Sequence, residues 1–274
     1  MTTEPERREQ SQHPEEPAES ARVAATVSPE IVFEDAHLAI VHKPAGWLTV
    51  PGMPGSLSSR DPSVQQWLTK RWTVEGAEAV AFVGTVHRLD RPVSGVMVWA
   101  KTQRAARRLS EQFAGGKVVK QYWAVVAGGP NVASGSWEDW LILQRHEGRN
   151  SVKRCLPGAP GGQPARTEWQ KLASEGLPAG LSWLALWPRT GRMHQLRVQS
   201  AERGWPIVGD VGYGSQAEWP HPWKMALHAR SLTFRHPETQ ESVLVEAAVP
   251  DHWTALGPVT AWFEPADRFR ISRG

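Results

Sequence analysis

Cysteine is nearly absent: Cys155 is the one thiol among 274 residues. No intramolecular disulfide can form, and no Cys-rich zinc site can be built. Cys155 lies in a loop-like stretch and reads as structurally neutral. Tyrosine is scarce too, with Tyr122 and Tyr213 alone. No run of about twenty apolar residues occurs, and the N-terminal MTTEPERREQSQHPEEPAES has neither the basic start nor the apolar stretch of a signal peptide, so a soluble cytoplasmic protein is expected. No G-x-G-x-x-G opens a strand–helix unit, and Gly115-Gly116-Lys117 lacks the upstream glycine and the Ser/Thr of a phosphate-cradling loop. The G-x-S-x-G elbow and the His-Glu-x-x-His pair are missing as well. His87 precedes Asp90 by three positions, but two donors without a third do not make a metal site. The expectation is therefore an activity with no metal and no cofactor.

What is present is a chain 40% hydrophobic, enough to bury a core in one large domain or two small ones. The net charge is +3; residues 1–30, with three arginines and seven glutamates, contribute −4, so the remainder carries +7. A basic body suits a polyanion such as RNA, although composition alone does not decide it. Residues 1–29 hold no Ile, Leu, Phe or Trp and are expected to form a disordered acidic tail, with a catalytic domain over 30–274.

From Ile31 the texture changes. IVFEDAHLAIVHKPAGWLTVPG predicts a hairpin broken at Glu34-Asp35 and followed by a turn at Lys43-Pro44-Ala45-Gly46. SVQQWLTKRW predicts a helix capped by Ser63, and QRAARRLSEQFA a basic helix capped by Thr102 and ended by Gly115-Gly116. Strands are predicted at SGVMVWAKT, KVVKQYWAVVAG, LSWLALWP, ARSLTF and ESVLVEAAV, and a helix at HQLRVQSAERG closed by Gly204. Strands outnumber helices without a repeating βαβ rhythm, which predicts an α+β fold with a mixed, largely antiparallel sheet and flanking helices.

Three short segments bring together acid, base and hydroxyl groups that a core does not require: HRLD at 87–90, KQY at 120–122 and TGRMHQLR at 190–197. Each has an ordinary reading. Arg88 and Asp90 could form a surface ion pair, Tyr122 a half-buried strand aromatic, and Arg192 and Arg197 the solvated face of a helix. Arg104, Arg107 and Arg108, with Lys117 and Lys120, read first as a solvated basic face and second as a phosphate-contacting one.

Taken together, and in this order, VHKPAGWLTVPG, GTVHRLDRPVSGVMVWAKT, KQYWAVVAG, PARTEW, RTGRMHQLRVQSAERGWPIVGDVGYG and LHARSLTFRHP resemble the RluA-type pseudouridine synthase family, from about Val32 to about Val249. Met193 departs from the threonine usual after Gly-Arg. The resemblance implies a pseudouridine synthase fold with a central catalytic cleft, RNA (ribosomal or transfer) as substrate and no cofactor; no motif calls for a protein partner, and a monomer is the default expectation. The N-terminal RNA-targeting domain that some relatives carry has no room in residues 1–29, expected to be disordered, so a member without it is expected. By motif position Asp90 is the catalytic carboxylate acting at the sugar as nucleophile or base, Arg197 its ionic partner, and Tyr122 the ring stacked on the target base. His87, Arg88, Lys120 and Arg192 are the implied RNA-binding residues. The alternatives are a catalytically silent RNA-binding protein with the same fold, and a hydrolase using His87 and Asp90.

Overall fold

Ser94–Ala100 is buried at every position, the pattern of a strand covered on both faces. In a computed structural model, which describes residues 27–54, 57–146, 149–172, 176–216, 225–256 and 269–274, this segment is β4. The other strands are β1 (Glu30–Glu34), β2 (Leu38–Lys43), β3 (Gly84–Thr85), β5 (Val119–Ala127), β6 (Ser134–His146), β7 (Arg149–Cys155), β8 (Gln163–Lys171), β9 (Leu181–Pro188), β10 (Leu227–Arg235), β11 (Ser242–Ala247) and β12 (Phe269–Arg273). The helices are α1 (Val64–Trp72), α2 (Gln103–Ala114) and α3 (Gln195–Ala201).

These twelve strands form one sheet whose main path runs β1-β2-β4-β10-β5-β9-β8-β6-β7. Every strand pairing among the described residues is antiparallel except β4 with β10. That parallel contact is short, with Ser94 opposite His228 and Gly95 opposite Ala229. Beyond it β10 turns away and pairs β11 from Ser231 to Arg235, while the β5 pairing shifts register between Ala229 and Ser231. Gly95 makes the fork possible: its φ is +126°, and a Cβ there would lie 2.3 Å from the Ala229 carbonyl oxygen.

The two faces of β4 feed two cores. Val96, Val98 and Ala100 pack with Leu38, Ile40 and the α2 residues Ala105 and Leu109. Met97 and Trp99 face a larger core with Ala39, Val41 and the α1 residues Val64 and Leu68. Helices thus flank the sheet on both sides, as expected of this α+β class. The predicted caps are observed: Ser63 Oγ accepts from Gln66 N, and Thr102 Oγ1 from Ala105 N. The arginines of α2 are paired within the chain, Arg104 and Arg108 with Glu238 at 3.2 Å each and Arg107 with Glu111 at 3.9 Å, so that stripe is a self-compensated face.

Three details depart from expectation. The helix expected over 194–204 is confined to Gln195–Ala201, because His194 takes a left-handed φ of 51° and cannot be its first turn. Cys155 ends β7 rather than lying in a loop. The expected tail over 1–29 lies outside the described residues as far as 26. Of the rest, Val27 accepts a hydrogen bond from Trp47 Nε1 at 3.0 Å and Pro29 is buried, so the fold's hold on the chain begins ahead of residue 30.

Candidate active site

Asp90 sits in the loop between β3 and β4, and that loop is fastened by the turn after β2. Thr49 Oγ1 donates to Leu89 O at 2.8 Å and accepts from Leu89 N at 3.1 Å. Gly46 N donates to Arg91 O at 2.8 Å, and Arg91 returns a bond from Nε to Gly46 O at 3.1 Å. Arg91 Nη1 also pairs Asp61 at 2.7 Å. The arginine following Asp90 is therefore a clamp on the loop rather than a partner of Asp90. Lys43, fully buried, reaches across the same turn and donates to the carbonyls of Pro44, Trp47 and Arg91 at 3.2, 2.8 and 3.1 Å. Burial lowers its pKa to about 7, against the opposing pull of the Asp90 charge.

Arg197, on α3, donates from Nη1 to Asp90 Oδ2 at 3.1 Å. The expected pair is present, but the buried carboxylate it neutralises is a different one. Asp210 takes two bonds of 2.8 Å from Arg197 Nε and Nη2, and its side chain is 1% exposed against 30% for Asp90. Burial alone would lower the Arg197 pKa; the hydrogen bonds and charges of Asp210 and Asp90 outweigh it and hold the guanidinium charged. His194 Nε2 stands 3.7 Å from the same Oδ2 of Asp90. No described residue donates to Oδ1, so one oxygen of Asp90 is held and the other is uncommitted, and Asp90 lines a cleft.

That cleft has a volume of about 810 Å³, and all seven residues singled out from sequence line it: His87, Arg88, Asp90, Lys120, Tyr122, Arg192 and Arg197. Tyr122, on β5, is a neutral phenol, since burial and then the Asp90 charge raise its pKa above the usual tyrosine range. Lys120 donates to Thr190 O at 3.1 Å, and burial lowers its pKa to about 8. Arg192 is tied by Nε to Pro164 O at 3.1 Å, and Arg88 is exposed at the rim.

His87 is built into the wall. Its Nε2 accepts from Val98 N at 3.0 Å, and its ring stacks on Phe113 at 4.6 Å. Burial, with Lys120 nearby, lowers its pKa to about 3. The lone pair a hydrolytic base would use is already engaged, which removes the chemistry of a His87/Asp90 hydrolase. Met193 packs with Tyr213 against Leu141, Val152, Ala165 and Val198, so its departure from threonine is absorbed by an apolar contact.

Sequence reasoning missed Lys43, His194 and Asp210, and it used Tyr213 only as a rare residue inside a motif. Lys43 sits in a sequence that reads as a surface turn, and no local spacing ties Asp210 to Arg197. The one available signal was GDVGYG, an acid and a tyrosine between glycines, following HQLR.

Among known proteins, a family model described as RNA pseudouridylate synthase matches residues 37–202. The tRNA pseudouridine synthase C of Yersinia pestis is 32% identical over 85% of this chain and 91% of its own length. The dual-specificity RNA pseudouridine synthase RluA of Escherichia coli is 36% identical over 79% of this chain and 91% of its own. The solved structure of human RNA pseudouridylate synthase domain containing 1 superposes with a TM-score of 0.63 at 27% identity, covering 84% of this chain and 86% of that one.

Proposed function

The chain belongs to the RNA pseudouridylate synthase family, and we propose that Asp90 carries its reaction through the unheld oxygen Oδ1. The protein is an isomerase that converts uridine in RNA to pseudouridine. In that conversion the N1–C1′ bond breaks with its electron pair on the base, and positive charge develops on the sugar. The base turns, C5 bonds C1′, the C5 proton leaves and N1 takes one up. Atoms and electrons balance within the nucleotide, so the stoichiometry calls for no oxidant and no second substrate.

A carboxylate at the sugar can attack C1′ or take the C2′ proton, and either step needs an oxygen not already committed to a donor. The observation that carries the reading is the asymmetry at Asp90, a residue lining the cleft: Arg197 and His194 stand at Oδ2 while no described residue donates to Oδ1. The expelled uracil must be kept rather than lost, and the Tyr122 ring offers a flat neutral surface for it. Arg88, Lys120 and Arg192 supply positive charge for phosphates around a uridine that must leave its stack to bring C1′ within reach. His87 acts by holding its loop to β4 and forming the cleft wall. A silent RNA-binding protein would have no use for a carboxylate held on one side only.

By likeness to the Yersinia and Escherichia proteins, whose names specify tRNA and dual specificity, its substrate is transfer or ribosomal RNA. Residues 30–274 act as one catalytic domain, as a monomer, in the cytoplasm where those RNAs are. The test is tritium release from RNA carrying C5-tritiated uridine. Asp90→Asn should release none while binding the RNA within a few fold of the unchanged protein, since phosphate contacts dominate affinity. Measurable release by purified Asp90→Asn would sink the reading.

A further inference from the structure

Two arms reach Asp90 from one turn, Asp210–Tyr213. The first is the Asp210–Arg197 pair. The second runs through Tyr213 and His194: Val152 N donates to Tyr213 Oη at 3.0 Å, Tyr213 Oη meets His194 Nδ1 at 2.7 Å, and His194 Nε2 points at Asp90 Oδ2 from 3.7 Å. His194 and Arg197 are three positions apart around the start of α3, which sets both on the side facing Asp90. The Tyr213 ring serves both arms, standing edge-on to the His194 imidazole and beneath the Arg197 guanidinium at 4.9 Å.

The direction of the second arm follows from donor counting. The Val152 amide donates to the Tyr213 oxygen, and His194 Nδ1 is the one acceptor among the described residues within hydrogen-bond distance of the hydroxyl, which assigns the hydroxyl proton to that bond. A neutral imidazole that accepts at Nδ1 carries its proton on Nε2, the nitrogen facing Asp90. His194 sits in a left-handed backbone, φ 51°, which a non-glycine residue adopts at some cost. A single donor on Oδ2 fixes one atom but leaves the soft rotation about Cβ–Cγ of an aspartate. A second donor on the same oxygen from another direction fixes the plane of the carboxylate and so the aim of Oδ1. The 3.7 Å separation is longer than a hydrogen bond, as is common at such sites before substrate closes them.

We propose that His194, with its tautomer set by Tyr213, is a second positioning residue for Asp90. The proposal rests on Asp90 being the reacting carboxylate.

The test uses full-length protein and bulk RNA carrying C5-tritiated uridine, prepared from cells lacking this enzyme. It reads the single-turnover rate at saturating enzyme, the half-saturating enzyme concentration and the melting temperature. Tyr213→Phe keeps the ring and removes the hydroxyl. His194→Asn suits the left-handed backbone and keeps an acceptor near Nδ1 but offers nothing at the Nε2 position. His194→Gln offers an N–H there instead. Tyr213→Phe and His194→Asn should each slow the bound-state rate on the order of tenfold or more, the scale of a misaimed reacting group, with half-saturation little changed. His194→Gln should recover part of that rate despite its poorer fit to the backbone.

A bound-state rate within twofold of the unchanged protein in both Tyr213→Phe and His194→Asn would overturn the proposal. So would a weakened half-saturation at unchanged rate, which would make His194 an RNA contact, or His194→Gln proving no faster than His194→Asn. Asp90→Asn run alongside separates the two failures. If it is inactive while Tyr213→Phe is unimpaired, only the role of His194 falls; if it is active, the reading of Asp90 falls first.

Discussion

Arg197 is bound more closely to Asp210 than to Asp90, through two bonds of 2.8 Å against one of 3.1 Å. The side chains of Arg197 and Asp210 are 11% and 1% exposed, so this is the buried ion pair of the site. Removing one partner of such a pair leaves the other charge stranded, which costs about 3–5 kcal/mol. Arg197→Met should therefore lose stability of that order in urea unfolding, with Asp210 as the stranded group. Arg197→Met/Asp210→Asn should regain part of the loss, while Arg197→Met/Asp90→Asn should not, because Asp90 keeps access to water. Recovery in the Asp90 double mutant alone would show that the stability coupling runs through Asp90 instead. Both double mutants should be inactive.

The fork in the sheet depends on the close approach of Gly95 to Ala229. Gly95→Ala places a Cβ 2.3 Å from a backbone oxygen in a backbone with φ +126°, and should destabilise by about 3 kcal/mol or more. Gly76 has a positive φ as well, +80°, but nothing lies within 4 Å of its Cβ position. Gly76→Ala should cost only the backbone term, roughly 1–2 kcal/mol. Equal losses in thermal or urea unfolding would show that conformation, not contact, governs Gly95.

Where local chemistry and pattern agreed, the sequence was readable. Thr102 caps α2 as its hydroxyl and the following helix formers require, and the unbroken apolar run of β4 is a doubly covered strand. The seven cleft residues were reached through the order of motifs, a likeness to other chains rather than any spacing. The β6–β8 region carries no clear strand pattern in sequence because its alternation is interrupted. Trp137 and Leu141 point inward, but the inward position between them is Asp139, which looks like a solvent position until Gln199 and Arg203 meet it at 2.8 and 3.0 Å. Lys43 and Asp210 were invisible for the same reason. A buried charge is made tolerable by partners far away in sequence or by backbone carbonyls, and neither leaves a local trace.

Lys43 holds the β2 turn to the Asp90 loop with one ammonium group and three carbonyls. Lys43→Met keeps much of the length but leaves those acceptors without their donor, at about 1–3 kcal/mol for each that water cannot reach. The Arg91 carbonyl is one of them, so the loop bearing Asp90 loosens. Single-turnover tritium release should fall more than RNA affinity, and the melting temperature should fall with it. An unchanged rate in a destabilised variant would confine Lys43 to stability.

Lys120 gives a pH signature with opposite signs in binding and stability. Burial brings its folded-state pKa from 10.5 to about 8, so the cleft loses this charge as the pH rises from 7 to 9. If Lys120 meets a phosphate, RNA affinity should fall over that interval, and the slope of log affinity against log salt should shrink by about 0.7–0.9, the worth of one phosphate contact. Lys120→Arg keeps its charge and should bind with little dependence on pH. Lys120→Met should bind more weakly at pH 7 and also show little change, which corrects for any titration of the RNA itself. Stability runs the other way. Between pH 8 and 10.5 the unfolded chain holds a proton that the folded one has released, so this residue's contribution to stability rises with pH. A loss of affinity between pH 7 and 9 that is equally large in Lys120→Met would assign the titration to another group and remove Lys120 from the RNA-binding set.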